Sequence, residues 1–216
     1  MDAVTGNLGA FADGLLVTLK LSVLSFALAM VIGAVIATFR VSPVAPLRAA
    51  GLTYVEVFRN IPLTAFFALA VFGLPKVGVT FGGSFFTFAV LVLSLYTGAF
   101  VSEALRSGIN TVAAGQAEAA RSIGLTFGQT LRLVVVPQAL RTVVQPIGSL
   151  FIALAKNSSI ASVFAVIELT STFEGLTDKE TDTLALLIGT AIAYLLITIP
   201  AGALTGVVER RVAFKR

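Results

Sequence analysis

The sequence runs to 216 residues, of which 57% are hydrophobic and only 12% are charged, and its mean hydropathy is +0.98. Such a composition excludes a soluble domain, and because the apolar runs are continuous rather than alternating it predicts an all-α membrane protein, not a β-barrel. The absence of His and Cys removes disulfides, thiol chemistry and imidazole acid–base or metal sites, and the net charge of +4 follows the loops of a membrane protein rather than a nucleic-acid surface.

The opening residues MDAVTGNLGAFADG carry acids where a cleavable leader would carry bases, so no signal peptide is expected. A first span is predicted over residues 13–39; its uncharged core, 21–39, is about 28 Å long, close to a hydrocarbon layer of roughly 30 Å. Lys20 would snorkel toward the nearer interface, and Pro43 and Pro46 would end the helix. A second span is expected over 54–74, short unless residues 52–58 extend it. Pro75, Lys76 and the Gly-rich VGVTFGGS would form a brief loop. The third span, 83–102, ends at Glu103 and Arg106, and a polar interval fills residues 103–141. The fourth, 142–168, is interrupted by Lys156-Asn157-Ser158-Ser159, and the acidic loop ELTSTFEGLTDKETDT separates it from a fifth span at 184–208. Eleven of the fifteen bases fall in the first-to-second and third-to-fourth connections and the tail ERRVAFKR, and none precedes Lys20. Basic loops stay on the cytoplasmic side, so five spans with the N-terminus outside and the C-terminus inside satisfy every loop.

The polar interval has a helix–turn–helix grammar. Arg121 would favour a helix end and Gly124 suits a left-handed cap. Thr126 followed by Gln129 reads as a capping box opening the next helix, and Pro137 lies where the chain heads back to the bilayer. Ala119 and Ala120 give the first arm a smooth face that another protein can approach closely.

Within the spans, Lys156 sits in mid-span, where a base marks a functional site or pairs internally to hold the fold; both readings stand. Asn157, Ser158 and Ser159 can cap a second half-helix whose free N–H groups would favour a carboxylate. Tyr96 and Thr97 can offer hydroxyls to a path, although packing through Thr97 and Gly98 is the simpler role. Glu103 and Arg106 read as a local ion pair that positions the polar interval. Arg59 is a gate residue or, more simply, a topology-setting charge. Gly202 and Gly206 form a GxxxG suited to packing within the chain.

The spacing of Glu118-Ala119-Ala120, Gly124 and Val134-x-Val136-Pro137 resembles the EAA loop of ABC importer permeases, with Val at 134 and 136 where that pattern has Ile and Leu. FRNIPLTAFF at residues 58–67, SEALRSGINTVAAGQAEAARSIG, VVPQALR and ALAKNSSIAS are similar, in the same order, to the polar amino acid permease family, from about residue 14 to the C-terminus. The resemblance implies a type I ABC importer transmembrane domain in a prokaryotic cytoplasmic membrane. Its coupling helix, with Glu118, Ala119, Ala120, Gly124 and Pro137, would dock on a dimer of ATPase subunits. A second permease subunit, the same or homologous, would complete the path, and an extracytoplasmic binding protein would deliver the amino acid. The chain has no G-x-x-x-x-G-K-[ST] segment, so ATP and Mg would be bound by the partner ATPase and no cofactor is expected here. Lys156 with Asn157, an amide where relatives often carry Asp, and the likeness to the glutamate branch favour an acidic or neutral amino acid, glutamate foremost. An ion-coupled secondary transporter would need more spans or an inverted repeat, and no repeat is visible. An intramembrane enzyme lacks a nucleophile–base pair.

Overall fold

A computed structural model describes residues 2–80, 84–179 and 182–212, and every regular element among them is helical. In chain order these are α1 (Asp2–Thr5), α2 (Leu8–Val41), α3 (Ala45–Asn60), α4 (Leu63–Ala68), α5 (Phe85–Asn110), α6 (Ala114–Ser122), α7 (Phe127–Thr130), α8 (Val136–Asn157), α9 (Leu169–Thr177) and α10 (Thr183–Val212). α4 runs on through a π turn, Leu69–Gly73, and a 3-10 turn, Leu74–Val77. A π turn at Leu131–Val135 joins α7 to α8, and a 3-10 stretch, Ser158–Phe164, extends α8. Met1, residues 81–83, residues 180–181 and residues 213–216, parts of the expected Gly-rich loop, third-span start, acidic loop and basic tail among them, lie outside the described residues.

Four helices are long and apolar enough to cross a membrane: α2, α5, the run Phe127–Phe164, and α10. α2 carries a stripe of mostly small buried residues four apart, Leu21, Ser25, Ala29, Gly33 and Ala37, which lets α5 approach closely. The Ser94 hydroxyl donates to the Ser25 carbonyl at 3.1 Å, and a Cβ on Gly33 would collide with Val101. One apolar core joins Leu21 of α2, Phe67 of α4, Leu93 of α5 and Phe164, the two phenyl rings stacked at 5.2 Å. A second joins Phe11, Ala155, Leu169, Leu186 and Ile197 across α2, α8, α9 and α10.

Three expectations meet a different geometry. Residues 52–58 do not run straight into the second span: α3 and the α4 run pass as a span only together, with a bend of 103° between them. Pro62 forces the preceding Ile61 into an extended conformation, φ −80° and ψ 132°, and removes the N–H that would continue the helix. Pro75 and Lys76 lie in the helical extension, closed by Gly78 in the left-handed region, rather than in a loop. The KNSS segment does not break the fourth span. α8 reaches Asn157 and tightens into the 3-10 stretch with no side-chain cap; the Ser158 hydroxyl donates back to the Ala155 carbonyl at 2.9 Å, which continues a helix instead of opening one.

The break falls later. Ala165 takes φ +62°, a conformation that costs a non-glycine residue about 1 kcal/mol, and Glu168 then caps α9. The acidic segment, expected as a loop, is therefore largely helix, packed against α2 and α10.

Candidate functional site

The polar interval folds as its sequence grammar requires. α6 is nine residues long with Arg121 in its last turn, and Gly124 closes it at φ +91°. The Thr126 hydroxyl accepts from the Gln129 N–H at 3.3 Å while the Gln129 side chain accepts from the Thr126 N–H at 2.9 Å, a complete capping box. Of α6 only Ala120 is buried; Glu118 and Ala119 face solvent. Beside them Ile123 and Phe127 are 79% and 65% exposed. A nine-residue helix is marginal by itself, and two large exposed apolar side chains lie beside its small-residue face. Pro137 stands in the first turn of α8, just past the π turn.

The two arms are clamped at their base. A Cβ on Gly108 would collide with Val143 and lie 3.0 Å from the Ala139 carbonyl, so α5 and α8 touch there. Just above, Glu103 receives three guanidinium groups: ion pairs with Arg40 of α2 and Arg106 of α5, and Arg59 of α3 at 3.9 Å. Arg59 also lies over the Phe100 ring, 5.4 Å from its centroid. Arg106 Nε is buried without a partner among the described residues. The expected Glu103–Arg106 pair is thus part of a four-residue knot that ties α2, α3 and α5 together at the root of the polar interval. A cavity of about 300 Å³ opens beside it, bounded by Arg59, Ser107, Thr111, Thr142 and Pro146.

The other singled-out residues are dispersed. Thr97 is buried, and a Cβ on Gly98 would meet Ile32 and the Tyr54 hydroxyl, so this pair packs helices; Tyr96 stacks near Phe100 at 5.1 Å. Gly202 faces Ile152 of α8, which fits packing within the chain. Lys156 is exposed, and none of the described carboxylates pairs with it. Ser158 is fully buried, while Asn157 and Ser159 are half-buried.

Ser158 leads to a group the sequence reading passed over. It lies near Tyr194, whose hydroxyl donates to the wholly buried Glu168 carboxylate at 2.7 Å. The same carboxylate accepts the Thr170 and Ser171 N–H groups at 2.8 and 3.0 Å and the Thr18 hydroxyl at 3.4 Å. Thr18 in turn accepts the Leu169 N–H at 3.1 Å. One side chain thereby joins α2, α9 and α10 just beyond the 3-10 stretch. The signal was present: an acid directly after the apolar run 160–167 and before Thr170 and Ser171, the pattern of a helix N-terminus.

The chain is similar to known proteins. Residues 29–214 match the family model described as binding-protein-dependent transport system inner membrane component. The glutamate transport system permease protein GluC of Corynebacterium glutamicum is 41% identical over 93% of this chain and 92% of its own length. The glutamate/aspartate import permease protein GltJ of Escherichia coli is 32% identical over 96% and 89%. A crystal structure of an amino acid ABC transporter with histidines superposes with a TM-score of 0.89 at 32% identity, covering 96% of both chains.

Proposed function

The chain belongs to the binding-protein-dependent transport system inner membrane components, and on that premise we propose that its α6 is the coupling helix through which a separate ATPase dimer drives uptake of an acidic amino acid. It is a permease subunit of an ABC importer, a multi-pass protein of the bacterial inner membrane, and its family is one of permeases rather than enzymes. The observation that carries the reading is the exposed, capped α6 flanked by bare Ile123 and Phe127, standing on two arms clamped at Gly108.

The bent pair α3–α4 counts as the second of five spans, spans one to five running over about 13–39, 54–74, 83–102, 142–168 and 184–208 with the coupling loop at 103–141. The N-terminus lies outside and the C-terminus inside, which the Lys/Arg distribution supports. ATP and Mg bind to the ATPase. A second permease copy or homologue completes the path, and an extracytoplasmic binding protein delivers the substrate. Lys156, exposed at the end of α8 and paired with none of the described carboxylates, supports a substrate that carries negative charge, with the half-buried Asn157 and Ser159 beside it; Ser158, Tyr96, Thr97 and Arg59, buried, packed or paired elsewhere, leave the path. Glutamate is the substrate favoured by these residues and by the names of the relatives.

The test is uptake by proteoliposomes holding the chain with its ATPase and permease partners. Labelled glutamate is expected to enter, with glutamine and aspartate competing and arginine and histidine not; preference for arginine would overturn the substrate class. Glu118→Arg with Ala119→Trp is expected to cost about 2 kcal/mol or more of docking energy, roughly a 30-fold weaker hold on the ATPase, measured by co-purification. Unchanged co-purification and uptake in that variant would remove the coupling role of α6.

A further inference from the structure

Outside the Glu103 knot, the Glu168 network and the coupling surface, a groove of about 520 Å³ opens between the start of α2 and α9. Asp13 and Gly14 line its α2 wall, and Ser171, Gly175 and Lys179 line the other. Its floor is a close helix contact, since a Cβ on Gly14 would collide with the Thr172 hydroxyl. The α9 wall is held by the Glu168 cap at its start. Ile167, which also lines the groove, is 73% exposed.

Gly175 has no role inside the chain. It sits within the nine-residue α9, its φ is not positive, and a Cβ there would meet nothing within 4 Å. A glycine inside a helix costs about 1 kcal/mol against alanine, and neither a turn nor a packed neighbour among the described residues requires this one. Bare backbone on an open groove is what lets another molecule approach closely.

The charges at the groove select the partner. Asp13 and Lys179 both line it and are both exposed, yet neither forms an ion pair with a described residue. Glu174 and Asp178, four residues apart, are exposed as well, so three carboxylates accompany one ammonium. Such a field lowers the local concentration of a free anion. An acidic amino acid therefore gains nothing here unless it arrives enclosed in a carrier. A folded carrier with a basic rim is attracted instead, and Lys179 among the acids sets its register by calling for one acid opposite. An apolar spot at Ile167 beside charged residues has the make-up of a protein interface.

We propose that the groove between α2 and α9 is the seat of the extracytoplasmic binding protein, a basic projection of which enters over Gly175 while an acid of the same protein pairs with Lys179. The inference rests on the importer reading and the orientation proposed above.

The test uses the whole complex in proteoliposomes with its own purified binding protein, loaded with glutamate. Asp13→Lys with Glu174→Lys is expected to raise the apparent KM for the binding protein at least about tenfold, with the maximal rate within about twofold of the original. Gly175→Tyr, which fills the groove, is expected to do the same. Because the chain has no cysteine, Gly175→Cys places one label site on it. A membrane-impermeant maleimide should react there from outside, and several-fold more slowly once the binding protein is added. An unaltered KM in both variants, or labelling that the binding protein leaves unchanged, overturns the proposal. So does protection by glutamate without the binding protein, which would make the groove a substrate site. Equal protection by lysozyme, a basic protein of unrelated fold, would reduce it to a charged patch and overturns the proposal too. A wild-type complex that its binding protein does not stimulate would remove the importer reading, and this proposal with it.

Discussion

Glu168→Ala is expected to lower the stability of the purified subunit by about 3–5 kcal/mol, since it removes a buried carboxyl group that serves four donors and leaves each of them unpaired at about 1–3 kcal/mol. Three things are lost together: the cap that accepts the Thr170 and Ser171 N–H groups, the acceptor for the Tyr194 hydroxyl, and the bridge to Thr18 on α2. The donors left behind are buried, so each keeps its desolvation cost without a bond. Thermal unfolding in detergent should show a midpoint lower by on the order of 10 °C. Glu168→Gln retains one carbonyl for the two N–H groups and can donate its amide to the Tyr194 oxygen, so it should lose no more than about 1–2 kcal/mol. If Ala and Gln were equally mild, the carboxylate would not be the joint that holds α2, α9 and α10.

The second large effect falls on the knot at the root of the polar interval. Glu103→Ala leaves Arg40, with a side chain only 11% exposed, buried beside Arg106 and Arg59 with no counter-charge. Removal of one partner from such a site costs about 3 kcal/mol, and the remaining guanidinium groups repel each other. The expected outcome is a subunit that inserts but loses uptake, with ATP hydrolysis by its partner no longer tied to transport. Removing one of the cations at the same time should return part of the loss. Arg40→Gln in a Glu103→Gln background is expected to be milder than the sum of the two single changes by about 1–3 kcal/mol. Strict additivity would show that the three helices are not held through this carboxylate.

The parts of the fold written in local chemistry were legible before any coordinates. The Gly124 turn and the Thr126–Gln129 box depend on neighbours within a few residues, so their sequence pattern is sufficient. Four of the five expected spans are long apolar helices among the described residues for the same reason. What could not be read was decided by distance in the chain. Whether α3 continues into α4 depends on the backbone at Ile61 and Pro62, and also on α3 finding its place against α2 and α5, where the Tyr54 hydroxyl donates to the Leu95 carbonyl at 2.7 Å. Glu168 looked like one more acid in a solvated loop because its partners, Thr18 and Tyr194, lie 150 and 26 positions away. Lys156 drew attention as a base in an apolar run, yet the buried ionisable group of that region is the carboxyl twelve residues later. Hydropathy identifies an ionisable group near the membrane but not the neighbours that make it structural or functional. For the knot, the local pair was visible at i, i+3 and its two distant arginines were not.

The bare Ile123 and Phe127 also bear on how the cell counts its subunits. On the orientation and coupling role proposed above, a copy synthesised in excess of its ATPase would present both side chains to the cytosol permanently, and such a greasy tip is what chaperones and quality-control proteases bind. Stoichiometry would then be enforced by clearance of orphans rather than by matched synthesis. In cells lacking the ATPase, the half-life of the chain is expected to lengthen when both residues are changed to serine, followed by pulse–chase, and to be unaffected by the same change when the ATPase is abundant.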